Sequence, residues 1–196
     1  MTDCWQLHYS GTTVYNSYYS GTHTANYGIR GDIFGYTREG VWQTVRWCWL
    51  LLENVDRVPG MGEDEKVKMK AEAKCLIAAR YFDMFRHYGG LPLIYASFMG
   101  TETNYQLPRA TVEETVNYMD KMLEEAIESG GLKWAYEGAD FNSDSGHWTL
   151  AGAMALRCKL WQFAASPLFN DTQGYAGGRS EAEQQHLVWY GSKRPE

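Results

Sequence analysis

Apolar residues recur at helical spacing in four stretches of the chain, and each stretch ends in a helix-breaking signal. From Arg38 to Arg57, one face carries Val41, Val45, Cys48, Trp49, Leu52 and Val55, and Pro59-Gly60 stops it. From Glu63 to Tyr88, the apolar line is Met69, Ala73, Leu76, Ile77, Tyr81, Met84, Phe85 and Tyr88. Glu63, Asp64 and Glu65 start this second helix, where the helix dipole favours negative charge. Arg86 and His87 lie in its last turn, Gly89-Gly90 offers a left-handed stop, and Pro92 prevents continuation.

A third helix is predicted to begin at Thr111, which forms a capping box with Glu114. Its stripe is Val112, Val116, Met119, Leu123, Ala126 and Ile127, closed by Gly130-Gly131. A fourth helix is expected from about His147 to Ala165. There Ala151, Gly152, Ala153 and Ala155 are small enough for a neighbouring helix to approach, and Pro167 ends it. Glu181 to Tyr190 is a further short helical candidate, limited by Gly191 and Pro195.

The connecting stretches are aromatic. Residues 91–109 hold Tyr95, Phe98 and Tyr105, and residues 132–145 hold Trp134, Tyr136 and Phe141. Residues 4–29 contain no Asp, Glu, Lys or Arg and are built from Tyr, Ser, Thr, Gly, Asn and His, which reads as loop. The expected fold is mostly α, with amphipathic helices joined by long aromatic-rich loops. Three divisions follow: an aromatic polar loop segment over 1–37, a helical core over 38–170, and a loop-like tail over 171–196.

Composition adds two constraints. Aromatic residues make up 15% of the chain, including 8 Trp and 14 Tyr, a mixture suited to gripping a ligand through an apolar face and a polar tip. The net charge of −6 argues against nucleic acid, because phosphate neutralisation needs a basic surface. Cys4, Cys48, Cys75 and Cys158 are irregularly spaced, which disfavours a disulfide framework. The last three fall in expected helices, on or near apolar faces.

No nucleophile elbow, phosphate loop, zinc-protease or dinucleotide motif occurs, and His8, His23, His87, His147 and His186 stand singly. No catalytic residue, metal ligand or cofactor is therefore assigned. Among the acids, Glu113-Glu114 and Glu124-Glu125 suit capping and a polar helix face. Asp140 and Asp144, beside Phe141, are the pair open to a glycosidase reading. Binding chemistry is better represented. A sugar ring offers C–H faces to an aromatic ring and hydroxyls to amides, and Tyr15-Asn16-Ser17-Tyr18-Tyr19-Ser20 has that mixture. Trp5, Tyr15, Asn16, Tyr18, Tyr19 and Tyr27 are the candidate ligand residues, the alternative being that such rings pack the loop onto the helices.

Three ordered blocks carry a family resemblance. The first is Ala71-Glu72-Ala73 through Arg80-Tyr81-Phe82-Asp83-Met84-Phe85 to Tyr88-Gly89-Gly90-Leu91-Pro92. The second is Pro108-Arg109-Ala110-Thr111-Val112-Glu113-Glu114 leading to Glu124-Glu125-Ala126-Ile127. The third runs from His147 through Ala151-Gly152-Ala153 to Ala164-Ala165-Ser166-Pro167-Leu168-Phe169-Asn170. Together they resemble the SusD/RagB family of outer-membrane nutrient-binding proteins. Ala78 stands where that family usually has Arg, and Trp49 where it usually has Asn.

The resemblance implies tetratricopeptide-like helix pairs and no catalytic activity. It also implies lipid anchoring at the bacterial outer surface and a partner TonB-dependent (SusC-like) transporter that receives oligosaccharides or other nutrients. Family chains are considerably longer, which implies that the lipidated N-terminus and a C-terminal part lie outside this sequence. Two alternatives stay open: a helical protein-interaction module whose aromatics form the transporter interface, and a hydrolase using Asp140 and Asp144.

Overall fold

The computed structural model describes residues 39–101 and 105–194, all within one unit, Tyr36–Glu196. Helix α1 spans Glu39–Asn54 and tightens into a 3-10 turn at Val55–Arg57 rather than continuing as α-helix to Arg57. The reason is local. The Asn54 side chain bonds back to the Leu50 carbonyl at 2.8 Å, and Val58, extended ahead of Pro59, donates its N–H to Val55 at 3.2 Å.

Helix α2 spans Glu63–Tyr88 and ends as its sequence predicts, with Gly89 at φ 73° returning its N–H to the Phe85 carbonyl at 2.9 Å. Helix α3, Val112–Glu128, opens on the reciprocal Thr111/Glu114 capping box, the backbone N–H bonds being 3.2 and 2.8 Å. A short helix α4, Ala139–Asp144, lies inside the stretch read as loop. Helix α5 spans Leu150–Ala164 and starts later than His147, because Thr149 is its cap and accepts the Gly152 N–H at 3.0 Å. His147 instead reaches Glu72 on α2 at 3.0 Å. Helix α6 is one turn, Glu181–Gln184, with a Ser180/Glu183 capping box. Among the described residues there is no strand.

Short connections make α1 and α2 an antiparallel pair, and α2 also packs on α3 and α5. Because α2 meets three helices, its buried arc is wider than one stripe. Ala71, Cys75, Ala78 and Phe82 are buried besides Ile77, Tyr81, Met84 and Phe85. Leu76, read from the sequence as core, is 37% exposed, on the groove between α1 and α2. Ala78, in place of the expected arginine, is only 1% exposed, so the position now serves close packing. On α5 the small-residue reading narrows to Ala153, which is fully buried, whereas Ala155 faces outward.

Two aromatic clusters set the core. Phe85 stacks on Phe169 with centroids 4.7 Å apart, and Phe163 meets both Phe82 and Phe85 edge-on. Phe169 lies beyond the end of α5, so burying it draws the following chain back over the helices. Such a buried ring contributes about 1.5–3 kcal/mol. In the second cluster, Tyr81 of α2 and Tyr118 of α3 sit 4.8 Å apart. The Tyr81 hydroxyl donates to the Pro92 carbonyl at 2.9 Å and accepts the Ile94 N–H at 3.0 Å, while Tyr118 donates to the Ile94 carbonyl at 2.6 Å. Two tyrosines thus satisfy the backbone of a connector that has no secondary structure of its own.

The chain after α5 closes over the α2–α3 corner. Gly90 donates to Leu187 at 2.7 Å, Val112 to His186 at 2.9 Å and Tyr190 to Phe169 at 2.9 Å. Gly90 has no alternative there: a Cβ would lie 1.9 Å from the Ala110 carbonyl oxygen.

Candidate functional site

Helix α3 carries two side-chain rows at helical spacing, exposed or half-buried except at Tyr118, which is buried against Tyr81. One contains Glu113 and Asn117, and the other Glu114, Tyr118, Lys121 and Glu125. The first row borders a cavity of about 530 Å³, walled also by Trp161 and Ala164 of α5 and by Asn170, Tyr190 and Arg194 of the returning chain. This lies within the size range of small-molecule sites.

Each wall residue has a cause for its position. Trp161 is 43% exposed, and its indole N–H donates to Asp120 at 2.7 Å. Arg157 holds that same carboxylate through two nitrogens, at 2.7 and 3.0 Å, and Glu124 at 3.0 Å. The hydrogen bond fixes the indole ring and leaves part of its surface open. Opposite, Arg194 pairs with Glu113 and lies over the Tyr190 ring, 4.8 Å from its centroid. Hydrogen bonds from Arg194 hold the Glu113 carboxyl below its usual range. Burial pushes the Tyr190 hydroxyl up to about 12, so it stays protonated and able to donate. Asn170 fixes the Arg194 backbone through bonds of 2.9 and 2.6 Å, which leaves exposed Asn117 as the free-standing amide of the wall.

The second row borders another cavity, of about 460 Å³, lined by Trp49, Leu93, Tyr95 and Tyr118 as well as Glu114, Lys121 and Glu125. Asn117 lines both cavities. A third, apolar groove of about 270 Å³ runs between α1 and α2 along Trp47, Leu51, Met69 and Leu76.

Trp5, Tyr15, Asn16, Tyr18, Tyr19 and Tyr27, the candidates from composition, lie outside the described residues. Asp140 and Asp144 are each occupied. Lys133 pairs with Asp140, and Lys68 and Ser143 hydrogen-bond Asp144, holding its carboxyl below the usual range. A glycosidase acid needs the opposite shift. Glu113, read as a first-turn helix acid, is the partner of Arg194, and Glu125 pairs with Lys74 at 2.8 Å. Cys48 and Cys75 are buried as expected, but Cys158 is exposed on α5; all three are free thiols. Among the described residues no cluster of three or more His, Cys, Asp or Glu could hold a metal, and no helix is long and apolar enough to cross a membrane.

Sequence reading did not select Trp161, Tyr190, Asn117 or Arg194. Trp161 lay in the third family block and Asn117 on the polar face of a predicted helix, but neither position shows what it faces. The pairing of Arg194 with Glu113 joins residues too far apart in the chain for local spacing to reveal.

No family model matches the sequence, and no curated protein matches it. Solved structures do. A SusD-like protein from Bacteroides fragilis NCTC 9343 is 27% identical, with a TM-score of 0.56, over 64% of this chain and 24% of that one. The protein BT4246 is 26% identical, with a TM-score of 0.60, over 68% of this chain and 22% of its own. A laminarin-binding SusD-like protein shares the fold at 23% identity and a TM-score of 0.57, over 73% of this chain and 32% of its own. The chain therefore spans about a quarter to a third of the length of these structures. With these matches across its helical blocks, the chain is similar to SusD-like proteins and shares their fold, and its helices are the tetratricopeptide-like pairs of that fold.

Proposed function

We propose that this chain serves non-catalytic capture of oligosaccharides at the bacterial outer surface, for delivery to a TonB-dependent transporter. The observation that carries this reading is the wall of the larger cavity: an indole ring fixed by Asp120, the Tyr190 ring held under Arg194 and a solvent-facing amide. Aromatic rings cover sugar C–H faces, and amide and hydroxyl groups meet the hydroxyl rim. The charges present are already matched, Glu113 by Arg194 and Glu125 by Lys74, so a neutral sugar suits the walls better than an acidic one. Delivery to a transporter and attachment to the outer membrane extend this proposal from the likeness to SusD-like proteins, and the laminarin-binding neighbour supports the glycan class.

Titration calorimetry with neutral oligosaccharides, laminarin fragments among them, and with their uronate counterparts tests this. Binding of a neutral glycan, weakened about tenfold by Trp161→Ala, is the expected result. Heat from no glycan, or an unchanged affinity in the variant, would overturn the placement of the site. A reducing-sugar assay on the same ligands should show no turnover.

The groove between α1 and α2 favours a second use for another surface. Trp47 there is 56% exposed beside Leu51 and Leu76, with few polar groups to meet hydroxyls. It suits the transporter interface, and Trp47→Ala should weaken transporter association while leaving glycan affinity intact.

A further inference from the structure

The two cavities on α3 are neighbours. Glu113 and Asn117 form one row of the helix and Glu114, Tyr118, Lys121 and Glu125 the next, and Asn117 borders both spaces. Each space has its own aromatic surface: Trp161 and Tyr190 on one side, Tyr95 with Trp49 on the other. Tyr95 is 63% exposed and is braced edge-on by Tyr118 at 5.2 Å, so it presents a supported ring to solvent.

Both spaces also share one electrostatic character. Glu114 is occupied by the Thr111 backbone and hydroxyl, at 2.8 and 2.9 Å, and Glu125 by Lys74, as Glu113 is by Arg194. Lys121, which also lines the second space, stands 4.0 Å from Glu125, so a neutral chain passing from one to the other meets no carboxylate without a partner.

We infer that the two cavities form a single trough that takes one oligosaccharide of several rings lying across α3, with Asn117 as the contact at the crossing. A helix with its side chains is about 10–12 Å wide. A ligand reaching an aromatic on each side of α3 must therefore be longer than one ring. The inference rests on the glycan-binding reading and adds to it the ligand's length and path.

Calorimetry on the full chain with a series of neutral oligosaccharides from two to six units tests it. The expected result is one hexasaccharide per protein and an affinity that rises with length. Trp161→Ala and Tyr95→Ala should each weaken the hexasaccharide on the order of fivefold or more, while at most one of them weakens the disaccharide. Two hexasaccharides per protein, equal affinity for short and long chains, or a hexasaccharide affinity unmoved by Tyr95→Ala would overturn the single trough and leave glycan binding standing. The absence of binding by every glycan in the series would remove the functional reading itself. The stoichiometry and length dependence of the unaltered protein decide the matter even where a variant folds poorly.

Discussion

Arg194 grips the Glu113 carboxylate with both terminal nitrogens, at 2.6 and 2.8 Å, and so ties the end of the described chain to the first turn of α3. Both side chains are more than a third exposed, so the pair alone contributes no more than about 0.5–1 kcal/mol. Its larger effect is geometric, since the same guanidinium covers Tyr190. Arg194→Ala should leave thermal stability nearly unchanged yet reduce glycan affinity through a freed Tyr190. The Glu113 carboxyl is depressed in the folded protein by Arg194, so its contribution is present above the ordinary glutamate pKa and lost as pH falls through the lower folded value. Binding measured from pH 7 downward should weaken only once the pH has fallen below the ordinary glutamate range, and the drop should disappear in Glu113→Gln.

Tyr81→Phe should be costly although it removes one oxygen. The Pro92 carbonyl and the Ile94 N–H would both lose a partner, in surroundings where the Tyr81 side chain itself is fully buried. Unsatisfied buried groups of this kind cost about 1–3 kcal/mol. Urea unfolding should show a lower midpoint with an unchanged slope. A loss below about 0.5 kcal/mol would mean that water replaces the hydroxyl.

Glu183 is 2% exposed and accepts the backbone N–H groups of Ala176 at 2.6 Å and Gly178 at 3.0 Å. Burial alone would raise its carboxyl, but the N–H donors of Ala176, Ser180 and Gly178 bring it below the usual range. Its contribution is therefore present at neutral pH and lost as pH falls through that lowered value. Hydrogen exchange at Ala176 and Gly178 should accelerate in Glu183→Ala, and in the unaltered protein on acidification, before the α2 core opens. Exchange that stays slow in the variant would show that the loop is held by something else.

Thiol labelling separates the cysteines. Burial pushes the Cys75 thiol to about 12 and also raises Cys48, whereas Cys158 is exposed. At neutral pH an alkylating reagent should modify Cys158 quickly and reach Cys48 and Cys75 only on unfolding. Mass spectrometry of the labelled peptides reads this directly, and rapid modification of Cys75 would contradict the packing of α2 on α3.

Much of the helical scaffold could be read from local rules. The Thr111/Glu114 box, the Gly89 stop and the apolar line through Tyr81 and Phe85 are each set within a few residues, so spacing and chemistry reveal them. Leu76 and Cys158 were misread for the converse reason: their helices meet several neighbours or leave a face open, and one apolar stripe cannot tell which side is covered. The late start of α5 at Leu150 shows the same limit at a boundary, where Thr149 outcompetes His147 as the effective cap.

By itself the sequence determined the four long helices, their order and most of their ends, because those depend on side-chain periodicity and on caps formed between near neighbours. Tertiary structure alone decided the site. Trp161 faces a cavity because Asp120 of α3 holds its indole. Tyr190 and Arg194 complete the wall because Phe169 is buried against Phe85 and brings the following chain back. Contacts between residues so distant in sequence leave no local periodic trace, and only the packed fold brings them together.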